Sequence, residues 1–148
     1  MTEAHIRQWK HNRSFLETIG PEYPDWAVST VFYAALHAID ALLTSDRVEG
    51  IVSHETRNRA LMKTNRYAKL WDLYQPLHDL SRTIRYLADP QLWVAWDAID
   101  KEVVRRYLYP IEKSVLKLMK KDLDLPKIQL APPVSDDSST VPQRGAVE

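Results

Sequence analysis

An apolar run from Trp26 to Leu43, opened by Pro24-Asp25, limits what this chain can fold into more than any other feature. The run is apolar nearly all round, and such a surface is hidden by placing the helix at the centre of a bundle. Its length approaches the roughly 20 residues that span a bilayer. It also contains His37 and Asp40, and a central Asp costs about 2.5–3.5 kcal/mol on insertion. A buried helix is therefore the better reading, and no membrane segment is expected. The polar residues inside the run are ordered. Ser29, Tyr33, His37, Asp40 and Thr44 follow steps of three and four, which places them on one stripe of the helix.

The flanking segments read as further helices. Glu3 to Ile19 carries Ile6, Trp9, Phe15, Leu16 and Ile19 roughly on one side and stops at Gly20-Pro21. After a connection at 46–52, Ser53 is placed to cap a helix over 54–65 by accepting from an amide two or three residues on. A fourth helix covers about 67–88, where Pro76 is expected to kink or break it. Asp89-Pro90 restarts the chain in a fifth helix to about Met119, with Leu92, Trp96, Ile99, Val103 and Ile111 on its apolar side and a bend at Pro110. Connections this short favour antiparallel neighbours. The expected fold is an all-α, up-and-down bundle of four to five helices over 1–123.

From Asp124 onward the composition turns to Pro, Ser and Asp, with four acidic groups against Lys127 and Arg144. A segment of that composition buries too little apolar surface to offset its chain entropy. Residues 124–148 are accordingly expected to be a disordered acidic tail.

Composition narrows the chemistry. The chain has no cysteine, which removes disulfides and thiolate catalysis and fits a reducing, cytoplasmic compartment. Three glycines in 148 residues leave no glycine-rich phosphate loop. His5 and His11 are six apart and do not share a helix face, and no two carboxylates and a histidine converge at ligand spacing, so neither a metal nor another cofactor is expected. Net charge is zero, yet the segment 54–69 holds five basic residues (Arg57, Arg59, Lys63, Arg66, Lys69) and one acid, Glu55. A patch of that sign either attracts phosphates or is a solvated helix face.

The stretch Phe32-Tyr33-Ala34-Ala35-Leu36-His37 within the apolar helix, then Ser53-His54, Arg57 and the segment Leu80-Ser81-Arg82-x-x-Arg85-Tyr86, resembles prokaryotic HEPN (higher eukaryotes and prokaryotes nucleotide-binding) proteins. The resemblance covers roughly Trp26 to Asp89. It implies a helical bundle, often a dimer, working on RNA in toxin or defence systems, with many members being metal-independent ribonucleases. Their signature is an Arg and a following His with four to six residues between them, and six residues separate Arg47 from His54. Arg47 falls in the connection rather than on the helix of the His, and Val48 stands where the commonest form has Asn or Asp.

Metal-free RNA cleavage needs a base for the ribose 2′-hydroxyl and a cation for the phosphate. His54 is the candidate base, since the positive end of the helix dipole keeps its ring neutral. Arg57, one turn on, and Arg47 are the candidate phosphate contacts. Arg59, Lys63, Arg82, Arg85 and Tyr86 are candidates for RNA binding through charge and stacking. The rival reading pairs Arg82 and Arg85 with Asp79 or Asp89 and leaves His54 an ordinary helix-start residue. His37 is either a base oriented by Asp40 or a satisfied core or interface histidine. Two functions stay open: an RNA-binding, RNA-cleaving HEPN-like homodimer, or a non-catalytic helical subunit that contacts a partner protein.

Overall fold

A computed structural model describes residues 1–89 and 93–133. Five helices build it, and no strand occurs among the described residues. Helix α1 is Thr2–Leu16, α2 is Pro24–Ser45, α3 is His54–Lys63 and α4 is Ala68–Tyr86, preceded by a 3₁₀ turn at Asn65–Tyr67. The fifth, α5 over 96–119, joins an α-helical turn Trp96–Ala98, a π-helical stretch Ile99–Leu108 and an α-helical end Tyr109–Met119. The expected restart at Asp89-Pro90 and the apolar position Leu92 fall partly on residues 90–92, outside the described residues.

The α2 helix lies at the centre and packs against α1, α4 and α5. Its side chains from Ala27 to Leu43 are buried with few exceptions. It is the one described helix long and apolar enough to cross a membrane, and most of its length is enclosed by protein. Each large apolar side chain fully buried there, such as Val31, Phe32, Ile39 or Leu42, contributes about 1.5–3 kcal/mol.

Neither internal proline acts as a simple breaker. α4 runs through Pro76 without interruption. Before Pro110 the helix widens to π geometry, and the Tyr109 N–H reaches back to the Val104 carbonyl. A proline ring crowds the carbonyl four residues earlier and supplies no donor for it. The wider turn absorbs that mismatch over the preceding residues instead of bending at one point.

α1 is held by a buried polar network as well as by Ile6, Trp9 and Leu16. The Trp9 indole N–H donates to Glu112 Oε2 at 2.7 Å, and Arg13 grips the same carboxylate through Nε at 2.6 Å and Nη2 at 3.2 Å. The remaining Arg13 Nη1 donates to the Pro126 carbonyl at 2.7 Å.

That last bond corrects the expected tail boundary. Residues 124–133 belong to the folded unit as an extended strap. Ile128 is buried, its N–H donates to the Tyr109 hydroxyl at 2.8 Å, and the Gln129 N–H donates to Glu17 at 2.7 Å. The Trp96 indole N–H closes on the Ala131 carbonyl at 2.8 Å. The strap has no helical or strand periodicity, so its anchoring rests on single side chains and on partners far away in sequence. Residues 134–148 lie outside the described residues.

Candidate functional site

The start of α3 is set by local chemistry. Ser53 Oγ accepts from the Thr56 N–H at 3.1 Å, while Thr56 Oγ1 accepts from the Ser53 N–H at 3.0 Å, a reciprocal capping box. This fixes His54 at the first helical position and Arg57 one turn later, on the same face.

Arg57 turns inward. Its Nε and Nη2 hold the two oxygens of Asp40 at 2.7 and 2.9 Å, and both side chains are less than a tenth exposed. The polar stripe on α2 thus ends in a buried ion pair. Arg57 is therefore not the free phosphate contact expected of it. It serves as a buttress, with Nη1 lying 3.4 Å from His54 Nδ1. A guanidinium has only donors, so Nδ1 of a neutral His54 accepts, and the ring proton sits on Nε2. The expected base therefore presents a donor edge.

The second imidazole is His78, which the sequence reading passed over. It is buried on α4 with its ring stacked on Phe32 at 5.0 Å, and its centroid lies 4.8 Å from that of His54. Phe32 also packs against Tyr74 at 5.5 Å and His54 at 5.9 Å. Residues 74, 78, 81 and 85 of α4 follow steps of four, three and four. That stripe rule would have singled out His78 had it been applied to the polar side of α4.

Cations surround the pair. His54 is held below its ordinary pKa by partial burial, then by Arg57 and Arg85, with Asp40 opposing. His78 is lowered by burial, then by His54 and Arg82, with Asp79 opposing. Arg85 donates to Ser81 Oγ at 3.1 Å. Arg82 is exposed and meets Asp79 at 3.1 Å, the pairing that the rival reading anticipated. Tyr86 is 80% exposed at the end of the same helix.

The other candidates separate. Arg47 has φ 62° and forms the left-handed cap of α2. Its N–H donates to the Thr44 carbonyl at 3.0 Å, and the Val48 N–H donates to the Leu43 carbonyl at 2.9 Å. Its backbone closes a helix, and no contact of its side chain with His54 or Arg57 is among the described contacts. Arg59 pairs with Glu55 at 3.1 Å on the exposed face of α3, and Lys63 is exposed at its end. Arg66 is taken by Asp46 at 2.8 Å, and Asp46 also accepts from the Tyr67 hydroxyl. Three of the five basic residues of the segment, Arg57, Arg59 and Arg66, thus meet carboxylates within the fold.

The α2 stripe splits in two. Ser29, Tyr33 and His37 line an open groove with Gln8, Asn12 and Trp26 between α1 and α2, while Asp40 turns to Arg57. His37 meets His5 of α1, a contact taken up below. Comparison with protein-family models, with curated proteins and with solved structures finds no match.

Proposed function

We propose that the α3–α4 face binds RNA and cleaves it without a metal, with the substrate's 2′-hydroxyl as nucleophile. The observation that carries this reading is the His54–His78 ring pair, 4.8 Å apart, beside Arg57 and Arg85. Two imidazoles sharing one proton supply the acid and the base of such a cleavage. His78 is the base. His54 is the acid when its ring carries the pair's extra proton: the Arg57 guanidinium beside Nδ1 destabilises that imidazolium and so strengthens it as an acid, and Nε2–H donates toward the leaving oxygen. Arg85 and Arg82 stabilise the phosphorane charge, and exposed Tyr86 offers a stacking surface for a base. Deprotonated 2′-oxygen attacks phosphorus, the 5′-oxygen leaves with a proton from the pair, and a 2′,3′-cyclic phosphate results. The HEPN resemblance of 26–89 supports the same reading and favours a cytoplasmic toxin or defence role.

The test is incubation of purified protein with mixed RNA in chelator, with analysis of product ends. Cyclic phosphate ends are expected, and His54→Ala and His78→Ala should each slow the reaction by about 10²–10⁴. Intact RNA with the wild-type protein refutes the catalytic reading.

A second reading, a non-catalytic subunit that contacts a partner protein, is favoured by exposed Phe15, Tyr23, Trp26 and Tyr33 at α1, α2 and their connection. Aromatic side chains left in water at this density suit an interface. A homodimer through that face is compatible with either function.

A further inference from the structure

His37 plays no part in the cleavage reading, and α1 brings His5 to it from 32 residues away. Their Nδ1 atoms stand 3.1 Å apart, with the ring centroids at 5.3 Å. Asp40, one turn along α2 from His37, adds a carboxylate oxygen, and all three donor atoms lie within 4.8 Å of one another. Tetrahedral ligands at zinc–nitrogen bonds of 2.0–2.1 Å are separated by about 3.4 Å, so the two imidazoles already stand near that spacing. The expectation of no metal weighed spacings along the chain, and the third donor, His5, comes from another helix 32 residues away.

Three further features fit an ion. A carboxylate has about four acceptor positions, and Arg57 uses one on each Asp40 oxygen. Burial, followed by the neighbouring His5, holds His37 below its ordinary pKa, and the neutral ring is the form that ligates. A cavity of about 200 Å³ bordered by His5, Asp40, Thr44, Val48 and Ile51 reaches two of the three donor residues and has room for a water ligand, while His37 opens on the α1–α2 groove.

We propose that His5, His37 and Asp40 form a binding site for a single divalent transition-metal ion. Two imidazoles and one carboxylate suit zinc, cobalt, nickel or copper, whereas magnesium and calcium prefer all-oxygen sites. The site joins α1 to α2; it shares Asp40 with the Arg57 buttress but uses neither His54 nor His78.

The full chain, stripped with chelator, is titrated with cobalt(II) and followed by visible absorption; zinc is then measured in competition with a chromophoric chelator. One equivalent per chain should bind, with the intense visible band of low-coordinate cobalt. His5→Phe, which keeps a ring on His37, and His37→Gln should each weaken binding by more than about 100-fold, since even outer-shell losses cost 10–100-fold. His11→Ala, at an exposed position on α1, should match wild type. Asp40 is unsuitable as the diagnostic variant because its loss strands Arg57. No saturable binding, or equal affinity in wild type, His5→Phe and His37→Gln, overturns the proposal. Neither result depends on RNA cleavage, so the two readings fail separately.

Discussion

Removing Asp40 tests the architecture beneath the candidate site. Asp40→Ala deletes both oxygens that hold Arg57, at 2.7 and 2.9 Å, in a position where the two side chains are 8–9% exposed. The guanidinium then stays buried without a counter-charge, and breaking one side of such a pair costs about 3–5 kcal/mol. At roughly 3–4 °C per kcal/mol for a domain of this size, Tm should fall by about 10–20 °C. Replacing both partners by apolar side chains, Asp40→Leu with Arg57→Met, removes the stranded charge and should cost less than about 2 kcal/mol. Urea unfolding at pH 7 followed by tryptophan fluorescence gives each value by linear extrapolation. The reasoning fails if Asp40→Ala costs under about 1 kcal/mol, as for an exposed pair, or if the double variant costs the sum of its two singles.

The pH profile of RNA cleavage gives a second check. Both imidazoles are held below 6.5, so the singly protonated pair is most populated on the acid side of that value. The rate should peak below about pH 6.5 and fall toward neutrality as the acid partner loses its proton; a maximum above pH 7 contradicts the pair. Ile128→Ala, which empties a buried position in the strap, should cost about 2–3 kcal/mol and lower Tm by roughly 6–12 °C. A change within a degree or two would return residues 124–133 to an inert tail. Light scattering of the 17.2 kDa chain at micromolar concentration should report twice that mass, and Trp26→Glu, at a 60% exposed position, should shift it to the single mass. Wild-type protein at the single mass counts against the dimer.

The sequence by itself determined the helices and their order. An apolar circumference from Trp26 to Leu43 left α2 little choice but the centre, and Ser53 started α3 where its hydroxyl can cap it. Such signals are carried by residues within one or two turns of each other, so they can be read without knowing any neighbour. Only the tertiary structure decided which polar groups meet. His54 and His78, His5 and His37, Asp40 and Arg57, and Glu112 with Trp9 and Arg13 each sit on different helices. Their contacts depend on the register and crossing of packed helices, which no periodicity within one helix encodes. The strap at 124–133 belongs to the same class, because its hold comes from Arg13, Glu17, Trp96 and Tyr109 and not from any pattern of its own. Arg47 marks the opposite case. Its spacing to His54 could be counted in the sequence, but that its backbone forms the left-handed turn ending α2 could not.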